Sequence, residues 1–246
     1  MDRSVLNGYM VEVKKQDEAA FEGLFDACKK EVFGFLYVYT KNVKDTKSLL
    51  RKTFVKLRET AQKQQDGTDA FTFILKTAHA VAIEYLKRKI GDGTENAEVD
   101  ADKETVKKGA DEKPSVYDIL NNNFEDTDRQ ILLLKGAYGY RNKEVAGILN
   151  IPVATVPWKY NNEIKSFKDM LVEAGYEGFD IESLFIAENA KTEIKLFKDI
   201  TKTPIQQPAN TSPEKTSKKN FFTNVQFISA AGCLALALLL LLIGNL

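Results

Sequence analysis

The chain has 246 residues, 43% hydrophobic and 28% charged, which excludes a disordered tail and supports a folded core. Lys plus Arg equals Asp plus Glu at 35 each, so general basic excess is excluded and any nucleic-acid partner must be met by a local patch. Two cysteines, Cys28 and Cys233, and a single histidine, His79, exclude a disulfide framework and a zinc-like cluster.

In chain order, the opening MDRSVLNGYMVEVKKQDE lacks the apolar run of a signal peptide, and the N-terminal part is expected to stay in the cytoplasm. Residues 15–90 then show helical spacing three times. Phe21, Phe25, Cys28, Val32, Leu36 and Tyr39 define the first helix, and Leu49, Leu50, Phe54 and Leu57 the second. Phe71, Ile74, Leu75, Ala78, Ala82, Tyr85 and Leu86 define the third. Residues 91–114, GDGTENAEVDADKETVKKGADEKP, are acidic and nearly free of large apolar side chains, the pattern of a solvated linker.

A second helical block follows over 115–172, with helices expected at Arg129 to Tyr138, at Lys143 to Leu149, and along the face Val156, Tyr160, Ile164, Phe167 and Leu171. Within residues 173–200, Asp180 to Ile200 predicts an additional amphipathic helix, packed on the second block or lying at a membrane surface. Residues 201–220, with Pro204, Pro208 and Pro213, predict a flexible stalk.

Residues 221–243 end in VQFISAAGCLALALLLLLI, uncharged and long enough to cross about 30 Å of hydrocarbon. With Lys215, Lys218 and Lys219 just before it, the segment predicts a transmembrane helix whose N-terminal side is cytoplasmic. The expected location is therefore the cell membrane, single-pass. The expected fold class is all-α: two small helical domains joined by an acidic linker, plus one transmembrane helix.

Asn142 to Val156, NKEVAGILNIPVATV, has the grammar of a helix-turn-helix: a short apolar helix, a break at Asn150 to Pro152, and a second helix. Two short helices around a turn also occur in ordinary helical cores. No Gly-rich phosphate loop and no nucleophile beside a base is recognisable, so no catalytic residue, metal or cofactor is expected.

The longer run FEDTDRQILLLKGAYGYRNKEVAGILNIPVATV, Phe124 to Val156, resembles region four of bacterial sigma factors of the extracytoplasmic-function type. Asp17 to Thr60 resembles the first part of their region two, and AHAVAIEYLKRK, Ala78 to Lys89, resembles its promoter-melting helix. The resemblance implies a region-two-like bundle and a region-four-like helix-turn-helix that bind core RNA polymerase and direct it to promoter DNA.

The residues it places at the upstream element are Ala154, Thr155, Trp158, Lys159 and Asn162, of which Asn and Lys suit base and phosphate contacts. Those at the melted downstream element are Phe73, Lys76, His79, Tyr85, Lys87, Arg88 and Lys89, combining charge with aromatic surface. A solvated basic helix end is the other reading of that set. Ser48, Leu49, Arg51, Lys52 and Phe54 fall at the polymerase contact.

The chain departs from the family at three places. Pro157 and Trp158 replace a basic and a small polar residue, Ala80 stands where the melting helix usually has Asn, and Ser48, Arg51 and Lys52 replace acidic and amide residues. With Thr155 as cap, Pro157 would fall harmlessly in the first helical turn. Trp158 is equally readable as a core or partner anchor. The departures leave an alternative open: a divergent module acting by protein contact or DNA binding at the membrane without productive polymerase engagement. A membrane-bound regulator is a further implied partner.

Overall fold

The computed structural model describes residues 1–65, 67–91, 113–178 and 180–194. The chain divides into two units, Met1–Ile205 and Gln206–Leu246, and the second lies outside the described residues. So do the acidic linker after Gly91 as far as residue 112, the stalk and the 221–243 segment. The expected location at the cell membrane is corrected: no helix of the described residues is long and apolar enough to cross a membrane.

All regular structure among the described residues is helical, as the periodicity predicts. The first block contains α1 (Arg3–Lys14), α2 (Glu18–Thr40), α3 (Val43–Thr60) and α4 (Ala70–Gly91). The second contains α5 (Val116–Asn123), α6 (Asp126–Leu132), α7 (Asn142–Leu149), α8 (Thr155–Glu173) and α9 (Ile181–Ala190). A π-helical turn at Leu133–Ala137 extends α6.

Helix α1 was not expected. Asp2 caps it by accepting from the Ser4 and Val5 N–H groups, and Leu6, Met10 and Val13 form a buried stripe packed on α2 and α4. Its Asn7 also accepts the Ala70 N–H at 2.7 Å, so α1 caps the start of α4 from 63 residues away.

α2 is the central helix. Its first half is amphipathic, but Val32, Phe33, Gly34, Phe35, Leu36, Val38 and Tyr39 are all buried. A helix apolar all round must be covered on every side. Here α1, α3 and α4 cover one side, and α5, α6 and α9 the other. The two blocks therefore share a continuous core within the first unit.

Three contacts lock the second block to α2. The fully buried Arg129 of α6 donates from Nε to the Val38 carbonyl at 3.1 Å and from Nη1 to the Phe124 carbonyl at 2.7 Å, and it pairs with Asp126. Tyr138 donates to the Glu31 carbonyl at 2.6 Å. Tyr117 lies against Gly34 and donates to Asn189 of α9 at 2.9 Å. α9 thus packs on both blocks, with Phe185 edge-on to Tyr117.

Gly34 permits the closest approach. A Cβ there would sit 1.8 Å from the Tyr117 hydroxyl oxygen and 3.0 Å from Asn189 Oδ1. Gly34→Ala is expected to cost about 1–3 kcal/mol in urea unfolding of the full chain, as overpacking does. Adding Tyr117→Ala should cost less than the two single losses together, because removing the ring makes room for the methyl group. Unchanged stability of Gly34→Ala would show that the two helices are not in this contact.

Candidate nucleic-acid interface

The residues expected at the melted element all lie on α4 but do not share one face. At 100° per residue, Phe73, Lys76, Lys87 and Arg88 fall on one side, Tyr85 and Lys89 toward α3, and His79 toward α2. Phe73 is half-buried against the core. Lys76 is exposed and runs beside α7, its Nζ 3.8 Å from where a Cβ on Gly147 would stand. α7, the first helix of the helix-turn-helix, packs against α4.

Toward α3, Tyr85 donates to Asp45 at 2.6 Å, and Lys89 reaches the same oxygen at 3.4 Å with its ammonium 5.0 Å from the Tyr85 ring. Arg88 pairs with Glu84 one turn back, and Lys87 is exposed. The basic end of α4 is therefore fastened to the start of α3 through one carboxylate. Burial, followed by the hydrogen bond to Asp45, pushes the Tyr85 hydroxyl up.

The helix-turn-helix closes where Asn150 takes the left-handed conformation (φ 53°) and donates its N–H to the Ala146 carbonyl. Glu144 accepts the Arg141 N–H at 2.8 Å at the start of α7. α8 begins at Thr155, not after it, and Ala154 offers no side-chain cap. Pro157 sits in the first turn, where the missing N–H has no partner to lose.

Ala154, Trp158 and Asn162 are exposed on one face of α8, with Thr155 half-buried beside them. Trp158 is 63% exposed, which closes its reading as a core anchor. Lys159 instead bonds Asp128 of α6 at 2.8 Å, with only 21% and 9% of the two side chains exposed. With Val153 also half exposed, the leading end of α8 is an apolar tip carrying few groups able to read base edges.

On α3, Thr46, Leu49, Leu50, Thr53, Phe54 and Leu57 form the buried stripe. Leu49 and Phe54 are 1% and 0% exposed and cannot be polymerase contacts while α3 is folded onto α2. Ser48, Arg51 and Lys52 occupy the outward face. Asp45, Asp128 and Arg129 join these surfaces to the core without belonging to any motif in the sequence. Arg129 stands between Asp128 and Gln130 just ahead of the apolar run ILLL, and that polar triplet carries no local sign of its burial.

His79 pairs through Nδ1 with the Tyr39 hydroxyl at 2.8 Å. Burial disfavours its cation and lowers its pKa. Burial likewise keeps the proton on Tyr39. The unfolded chain takes up the proton near the ordinary value of about 6.5, before the folded chain does. This contribution to stability is therefore full above that pH and falls as pH drops through it, levelling off below the folded value. His79 is the chain's single histidine, so His79→Gln should flatten the fall in urea midpoint between about pH 7.5 and about pH 5.5. An unchanged fall would exclude His79 as its source.

No family model matches the chain, and none of the curated proteins compared with it matches. Among solved structures it is similar to CnrH in complex with the cytosolic domain of CnrY, at 11% identity and a TM-score of 0.49, over 70% of this chain and 99% of that one. It is also similar to the sigma factor RpoE in complex with the anti-sigma factor NepR from Bartonella quintana, at 14% identity and a TM-score of 0.49, over 61% and 96%. A likeness of this degree says nothing of what the chain binds.

Proposed function

We propose that the chain is a sigma-like transcription regulator that binds core RNA polymerase and promoter DNA. The observation that carries this reading is the helix-turn-helix: α7 is docked on the body, while the face of α8 that would enter a groove stays open to solvent. Thr155, Trp158 and Asn162 would meet the duplex, and the basic end of α4 a melted strand. Ser48, Arg51 and Lys52 on α3 would meet the polymerase.

A second reading has its own observations. The outward face of α3 is cationic, and the tip of α8 is apolar around an exposed Trp158. Both suit a protein partner, since exposed aromatic anchors carry binding energy and the sign of a charged face selects its partner. On this reading the chain acts by protein contact or DNA binding without productive polymerase engagement.

Polymerase capture by the full chain, together with promoter-specific initiation, tests the first reading. Absence of both would overturn it. If the polymerase surface is the one the family meets with acidic residues, Ser48→Asp with Lys52→Glu should tighten capture by about tenfold, because the substitution relieves like-charge contact. Weaker capture by that variant would show that the α3 face meets an acidic polymerase surface, and unchanged capture would place the polymerase contact away from Ser48 and Lys52.

A further inference from the structure

One end of the first block collects cations from three helices. α2 stops at Thr40, and Lys41 follows, exposed and in the left-handed conformation (φ 53°). α3 starts at Val43 and presents Lys44 and Lys47 to solvent within its first turn and a half. α4 returns antiparallel to α3 and delivers Lys87, Arg88 and Lys89 to the same end. The bonds from Tyr85 and Lys89 to Asp45 fix this placement.

Among the described residues, three of the carboxylates at this end are engaged, while Glu125 beside Asp126 is exposed. Asp45 accepts from Tyr85 and Lys89, Glu84 pairs with Arg88, and Asp126 pairs with Arg129. Lys44, Lys47 and Lys87 have no carboxylate within ion-pair distance among the described residues. Beside Lys41 lies the buried Arg129 guanidinium, whose charge, after burial itself, disfavours the Lys41 cation and is opposed by Asp126. The chain as a whole is neutral, so this concentration of positive charge is local.

We propose that this end is a phosphate-binding surface for a nucleic-acid backbone, in which Lys41, Lys44 and Lys47 add to the cations that Lys87, Arg88 and Lys89 place around the end of α4. The inference rests on the reading of the α4 end as a DNA contact and extends it to residues on two other elements. Apart from Ile90, the surface lacks the exposed apolar anchors on which protein interfaces depend. Lysines act on phosphate as point charges and require no shaped pocket, which suits a surface crossing two helix ends.

The surface differs in kind from the tip of α8. It would position a strand without reading its sequence, because ammonium–phosphate contacts carry no base information. Its signature is therefore salt dependence, not sequence preference. Each phosphate neutralised contributes about 0.7 to the slope of log affinity against log salt on a single strand and about 0.9 on a duplex.

The test uses the full chain, with fluorescence anisotropy of a labelled single-stranded oligonucleotide and its matching duplex over a series of salt concentrations. Lys41→Asn with Lys44→Gln and Lys47→Gln should reduce the slope by about two and leave thermal unfolding unchanged. Lys15→Gln with Lys63→Gln, exposed cations in other parts of the first block, should leave the slope as it is. A larger loss on the single strand than on the duplex would identify the melted strand as the ligand, and the reverse would identify the duplex.

An unchanged slope in the Lys41, Lys44, Lys47 variant, with loss of binding on Lys87→Gln, Arg88→Gln and Lys89→Gln, would overturn the extension while leaving the α4 contact standing. Absence of salt-dependent binding by the unaltered chain would overturn both. If the first variant keeps nucleic acid but loses binding to a polyglutamate peptide, the surface serves an acidic protein and the proposal fails.

Discussion

The buried guanidinium of Arg129 is the constraint around which the two blocks are arranged. A helix ends with carbonyl groups that have no partner of their own, and in the last turn of α2 Val38 and Tyr39 are buried. Arg129 supplies a donor to the Val38 carbonyl there, a second to the Phe124 carbonyl ahead of α6, and meets Asp126 with its remaining fork. Its charge is tolerated at 2% exposure because its donors have acceptors and Asp126, 62% exposed, retains its own water. Without that donor set, the Val38 carbonyl would be buried without a partner.

Around this point the apolar surfaces close. The second half of α2 is hydrophobic on every side, and the second block covers the side that α1, α3 and α4 leave open. Tyr117 and Tyr138 bring hydroxyls into this interface, and each finds an acceptor, Asn189 Oδ1 and the Glu31 carbonyl. The same packing sets which of the candidate side chains face outward. It docks α7 on α4, leaves the tip of α8 open, and joins the basic end of α4 to the start of α3.

Much of this was legible in the sequence. The periodicities of α2, α3 and α4 locate those helices, and the break at Asn150 to Pro152 coincides with the left-handed Asn150 that ends α7. Elsewhere local pattern was insufficient. Leu6, Met10 and Val13 are spaced for a helix, but their value lies in α2 and α4, which a local window does not contain. Charged Arg129 and Asp128 obscured the start of α6, since their partners are Val38 and Lys159. Leu49 and Phe54 belong to the helix expected to meet a partner, yet the period that makes α3 amphipathic turns them inward.

By itself the sequence determined the all-helical class and the grammar of the helix-turn-helix, because these follow from neighbours within a turn or two, and its composition set the even balance of charge. Only the tertiary structure decided that the blocks share one core, that Lys159 is held by Asp128 and that Trp158 is open to solvent. It alone decided, too, that Lys41, Lys44 and Lys47 lie with Lys87, Arg88 and Lys89 at one end. Those outcomes depend on side chains tens of residues apart meeting across helices. Burial, ion pairing and the placement of a charged surface are fixed by such meetings, and periodicity records only the face that each helix brings to them.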